Sequence, residues 1–238
     1  MAEGYAGDER AATARAALSR QIGAHYGNFE ALRDALLRFE FAASAETLAE
    51  MARSLGAVAL LDMMLDAELL NQTPSGHFFI DTKAKRYLTG GWLEELAWLA
   101  AKSAGAEEAI YGQVVGWEVK GFTGENEIDL IMRRGVELSF VSCKALRSEL
   151  DINDKKHRNR LMDAVHEADN LADHFGESGE KVAVLVTTDL YDEVRDTARY
   201  HALMGKAAVL DVHLIALEEL GWDRLVEAFQ NILSKVAG

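Results

Sequence analysis

The chain has few of the residues that build covalent or rigid frameworks. Its 238 residues include one cysteine, Cys143, and one proline, Pro74. A lone thiol excludes an intramolecular disulfide and any cysteine-based zinc cluster. No apolar run approaches the roughly eighteen residues of a membrane span, and the start MAEGYAGDER lacks a signal peptide's basic and apolar regions. A cytoplasmic protein with no membrane partner is therefore expected. Positive charge is also short, 25 Lys and Arg against 39 Asp and Glu, for a net charge of −14. Such a surface does not coat nucleic acid over its whole extent. The seven histidines show no H-E-x-x-H or paired spacing, so solvated or capping roles are expected of them. Nucleophile-elbow, P-loop and dinucleotide-binding glycine patterns are missing too.

What is present is a helix-rich, apolar chain, 49% hydrophobic and 27% charged, long enough to bury a real core. It is organised around the stretch NEIDLIMRRGVELSFVSCKA, residues 126–145. This reads as two short strands joined by an Arg-Arg-Gly turn. A strand sends residues i and i+2 to one face, so Glu127 and Asp129 project together, as do Ser142 and Lys144. Carboxylates and a lysine at adjoining strand ends suit a divalent-metal phosphodiesterase, which needs oxygens for the cation and an ammonium beside the phosphate. Cys143 points to the opposite strand face from Lys144, toward the core. The window from Ile131 to Arg160 holds eight Lys and Arg against four acids. Arg133, Arg134, Arg147, Lys155, Lys156, Arg158 and Arg160 thus form a candidate nucleic-acid-facing patch, or alternatively a solvated charge run.

An acidic strand followed by a strand ending in (D/E)-x-K resembles the PD-(D/E)xK restriction-endonuclease-like superfamily. The lead-in GGWLEE, residues 90–95, resembles its CRISPR-ancillary branch, in which this domain follows a CARF sensor domain and a winged-helix-like segment. The resemblance implies Mg²⁺ or Mn²⁺ held by Asp129, the residue at 142 and a backbone carbonyl near Cys143, with Glu94 assisting and Lys144 orienting or activating the attacking water. It also implies a DNA or RNA substrate, a homodimer, and a role in prokaryotic antiviral defence. One departure is important: the pattern places glutamate where this chain has Ser142. A neutral hydroxyl is a poor ligand for a hard cation. Glu127 or Glu94 is expected to compensate; alternatively the domain is a catalytically weakened one retained for nucleic-acid or protein binding. The helical region is too short and too helical for a CARF domain, so a separate regulatory subunit is one possible source of control.

The remaining segments suggest two units. Residues 1–88 read as helices at 8–25, 29–41, 45–54 and 57–70, then a turn and a short strand at HFFID, a winged-helix-like domain. The candidate recognition helix, VALLDMMLDAELL, has three acids and no Lys or Arg, so packing or dimerisation is its expected role rather than DNA reading. Residues 89–238 read as a nuclease-like domain. Gly90 opens it, and a helix begins at Trp92 in which Glu95 is solvated. Then follow a strand at 113–120, the hairpin, a helix at 155–175, a buried strand at KVAVLVTT, a helix at 189–204, a strand at 207–210 and a helix at 222–236. This order predicts an α/β fold with a mixed, three-layer sheet.

Overall fold

The computed structural model describes residues 7–38, 43–119, 121–175 and 181–234. The expected helix ends at 39–41 and 235–236, and Lys120, lie outside the described residues. Helices α1 (Glu9–Ala14), α2 (Ala16–Ala24), α3 (Tyr26–Arg38), α4 (Ala45–Ser54) and α5 (Val58–Asp66) come first. A small hairpin of β1 (Asn71–Gln72) and β2 (Phe78–Phe79) follows, and Ala43 bridges to Phe78 at its edge. Helix, turn, helix and hairpin form the winged-helix-like part. Ser44 does cap α4, its side chain accepting the Thr47 amide.

Helix α6 (Thr82–Arg86) runs through a wider π-turn (Tyr87–Gly91) directly into α7 (Trp92–Ser103). Gly90 and Gly91 therefore lie inside a helical rod rather than opening a new unit. The rod crosses the expected boundary near residue 88, and so does the core. Trp92 is fully buried, stacked on Tyr26 at 5.4 Å and edge-on to Phe29 at 5.7 Å.

The main sheet has the order β3 (Glu108–Val119), β4 (Phe122–Arg134), β5 (Glu137–Lys144), β6 (Lys181–Val186), β9 (Val212–Ile215). Its first two pairings are antiparallel and its last two parallel. Helix α8 (Lys155–Phe175) connects β5 to β6, since parallel neighbours need a crossover. One face packs on α7, the N-terminal helices and α10 (Trp222–Ser234); the other packs on α8 and α9 (His201–Val209). Strand β6 feeds both cores, Ala183 and Leu185 on one side and Val182, Val184 and Val186 on the other. That two-sided burial is why its sequence is a continuous apolar run.

Two expected elements are replaced. The start of the expected helix at 189–204 is instead a tight hairpin of β7 (Tyr191–Asp192) and β8 (Thr197–Ala198). The Asp192 carboxylate takes the Val194 and Arg195 amides, and Asp189 holds Arg199, so local side-chain bonds outcompete the helix. The expected strand at 207–210 instead finishes α9, and the chain reverses at Asp211 before β9.

The expected single helix at 8–25 is two helices, broken at Arg15. Its guanidinium turns inward to grip both oxygens of Glu95 on α7 and lies 4.8 Å from the centre of the Tyr87 ring. Glu95, expected to be solvated, is 5% exposed. The sequence placed it in a dipole-favoured first turn, but its partner lies eighty positions away. Arg15→Met strands a buried carboxylate and is expected to cost about 3 kcal/mol in urea denaturation. Arg15→Met/Glu95→Met removes both charges and is expected to recover most of that loss; an equal or greater loss in the double variant contradicts the assignment.

Candidate active site

The site forms where β4 and β5 separate. Their ladder runs from Arg134–Glu137 to Leu130–Val141 and stops. Beyond it β4 continues only with β3 and β5 only with β6. A side chain takes over from the ladder: the Cys143 amide donates to Asp129 Oδ2 at 2.6 Å, and the Ser142 hydroxyl donates to the same oxygen at 3.3 Å. The pleat also changes phase here. Ile128 packs in the α8-side core, whereas Leu130 and Met132 pack in the α7-side core. Facing this step on β3 is Gly112, between the partners of Ile128 and Leu130, with a φ of 60° that side chains disfavour.

An open cavity of about 530 Å³ lies between this point and α8. Asp129, Ser142 and Lys144 line it together with Glu127 and Glu125, as the strand periodicity predicts for the motif residues. Glu127 reaches Arg86 of α6 at 3.2 Å. On the opposite wall Glu167 of α8 meets Lys144 Nζ at 2.9 Å, with Asn170 one turn further on. Glu94 does not line this cavity. It faces a smaller recess on the α7 side, together with Arg86, Glu95 and Gly112.

The electrostatics tie the two recesses together. Burial raises the Glu94 carboxyl, repulsion from Asp129 adds to this, and Arg86 offsets it only in part, leaving Glu94 at about 7. Burial likewise raises Asp129, against the pull of the Cys143 amide, Lys144 and Ser142. For Lys144 burial opposes the charge, but Glu167 and Asp129 outweigh it and hold the ammonium above its ordinary value. The Cys143 thiol is pushed well up by burial and packs against the α7-side core, so it contributes its backbone and not its sulfur. That is the face expected for it.

The basic candidates fall into separate groups. Arg133 is bound by Glu107 and Glu108 at the turn end of the hairpin, and Arg134 sits beside it. Five residues of strand put Arg134 about 17 Å from Asp129, so neither reaches the cavity. Arg147 pairs with Asp154 at 3.5 Å in the loop after β5. Lys155, Lys156, Arg158 and Arg160 occupy the first turns of α8, roughly 10–18 Å along the helix from Glu167. His157, expected to be solvated or capping, is 4% exposed, and its ring lies 3.2 Å from the Thr188 hydroxyl.

The loop after β5 is anchored to the N-terminal helices. Tyr26 donates to the Leu146 carbonyl at 2.7 Å, and Glu30 accepts from the Ser148 amide at 3.1 Å. Sequence reasoning missed these anchors, and it missed Arg86 and Glu167 as well. Glu167 lies between the inward positions Val165 and Ala168, and only its contact with Lys144 shows which wall it reaches.

The donors around Asp129 are all oxygens, which suits a hard divalent cation. Among the described residues no three His, Cys, Asp or Glu side chains are already gathered at ligating distance. The residues fit an ion that keeps several waters and takes one or two carboxylates, as magnesium commonly does.

Glu94 also sets a pH dependence. An ordinary glutamate ionises near 4.5 and this one near 7. Between those values the folded chain holds a proton the unfolded chain has released, so stability falls as pH rises through this window and then levels off. In denaturation midpoints, Glu94→Gln is expected to gain on the parent progressively from about pH 5 to pH 8. A constant difference between the two contradicts the burial assigned to Glu94.

Known proteins share this fold. A structure of protein VC1899 from Vibrio cholerae superposes with a TM-score of 0.63 at 16% identity, covering 96% of this chain and 58% of that one. Can2 from Sulfobacillus thermosulfidooxidans, solved with cyclic tetra-adenylate, gives 0.54 at 14%, covering 95% and 58%. The chain thus spans less than two thirds of either neighbour. No curated protein matches the sequence. The likeness shows the fold that was expected, a mixed α/β sheet with helices on both faces. Residues 81–225, more than half of the chain, match the family model described as Card1-like, endonuclease domain, and the chain belongs to that family.

Proposed function

We propose that this chain is a metal-dependent nuclease that hydrolyses phosphodiester bonds in DNA or RNA, in a defence setting of the CRISPR-ancillary kind. The observation that carries this reading is the amide-to-carboxylate contact at Cys143, which holds Asp129 beside Lys144 at an open cavity. Endonuclease-family membership supports it. Asp129, the Ser142 hydroxyl and a neighbouring carboxylate would hold Mg²⁺ or Mn²⁺. When bound, the ion supplies positive charge to the attacked phosphate and polarises water.

The remaining work falls to the chain itself. Lys144 keeps its proton and faces the phosphate, where a fixed ammonium steadies the charge that grows during attack. Burial and repulsion from Glu127 disfavour the charged form of Asp129, so a cation beside it relieves that cost. The basic first turns of α8 lead to the cavity and give the nucleic-acid backbone a route into an otherwise acidic molecule.

Ser142 favours a second reading, a weakened nuclease fold that binds without cutting. The two readings separate by measurement. With Mn²⁺ the parent protein is expected to degrade plasmid or single-stranded DNA, Lys144→Ala to lose about a hundredfold or more, and Ser142→Glu to cut faster. Activity that appears only in Ser142→Glu establishes the binding reading for the native chain. Undiminished cutting by Lys144→Ala overturns the site.

A further inference from the structure

Replacing glutamate by serine at the motif position removes a negative charge from the place where a cation would need it. The cavity restores that charge from its opposite wall. Four carboxylates line it: Glu125, Glu127, Asp129 and Glu167. Glu125 stands four residues up the strand from Asp129, about 13 Å away. Glu127 is drawn to Arg86. Glu94 opens on the other recess. Glu167 alone among them meets the motif lysine, 2.9 Å from its Nζ, and that lysine also senses Asp129.

The spacing is suitable. Ser142 and Lys144 share one face of β5, about 6.6 Å apart along the strand. The serine side chain is two carbons and a carboxylate oxygen shorter than glutamate, and its hydroxyl is already turned to Asp129. The volume a glutamate would fill is left open toward α8. Glu167 comes from that side on a long side chain that is 59% exposed, so it reaches the cavity without a buried anchor that would resist movement.

We propose that Glu167 supplies the second carboxylate of the cation site, taking from helix α8 the role that Ser142 cannot fill on strand β5. This rests on the metal-dependent reading above and deepens it. In this structure Lys144 pairs with Glu167. Cation binding competes for the same carboxylate and leaves the ammonium free for the phosphate.

The test is Mn²⁺ binding to the full chain, measured by calorimetry and by the electron-spin signal of free Mn²⁺, with no substrate present. Glu167→Gln is expected to weaken Mn²⁺ by about tenfold or more. Asp163→Asn removes the same charge one turn earlier, at an exposed position outside the cavity, and is expected to change it by less than about twofold. The effect of Glu167→Gln must persist in a Lys144→Met background, where Glu167 no longer has a lysine to neutralise. Loss of the effect there, or full Mn²⁺ affinity in Glu167→Gln while Asp129→Asn abolishes binding, overturns the role of Glu167 and leaves the nuclease reading standing. No Mn²⁺ binding by the parent overturns both.

Discussion

Where β4 and β5 stop pairing, the amide of Cys143 turns to the Asp129 carboxylate instead of a backbone carbonyl. Much of the site follows from that exchange. It fixes the orientation of a carboxylate that burial would otherwise drive toward its neutral form. It also lets the two strands diverge, which opens the cavity between the sheet and α8. A continuous ladder would have closed that space with backbone and filled it with paired side chains. Lys144 lies on the same face two residues beyond Ser142, so the separation that frees Asp129 also brings the ammonium to it.

The surroundings hold this arrangement from two directions. On one face, the buried stack of Tyr26, Phe29 and Trp92 joins the N-terminal helices to α7, and Tyr26 reaches past the sheet to the carbonyl of Leu146, two residues after Lys144. On the other, α8 covers β5 and β6 and carries Glu167 to the lysine. The motif strand is therefore gripped at its C-terminal end by the helical region. A shift of those helices would move the loop that leaves the site. The buried Arg15–Glu95 pair keeps the first helices seated on α7, one position of sequence from Glu94.

The sequence revealed this site where the signals were local. Residues 126–145 read as two apolar strands about a turn, α8 spans the expected 155–175, and β6 announces its two-sided burial by an unbroken apolar run. It concealed the site where distant residues meet. Glu95 looked like a solvated first-turn acid because nothing near it names Arg15. Glu167 looked like one more charge on a polar helix face. Glu94, expected to assist the motif, lines a recess separate from the main cavity, and its link to Asp129 is through charge. The segment before α9 misled for a different reason: Asp189 and Asp192 bond to their own neighbourhood, and such bonds leave no periodic trace.

The central claim is that a divalent cation is held at the parting of β4 and β5. The most direct measurement is anomalous scattering from crystals of the parent protein soaked in Mn²⁺. The account predicts a peak in the cavity within coordinating distance of an Asp129 oxygen, with Lys144 on its rim. A peak elsewhere on the acidic surface, with none beside Asp129, would contradict it.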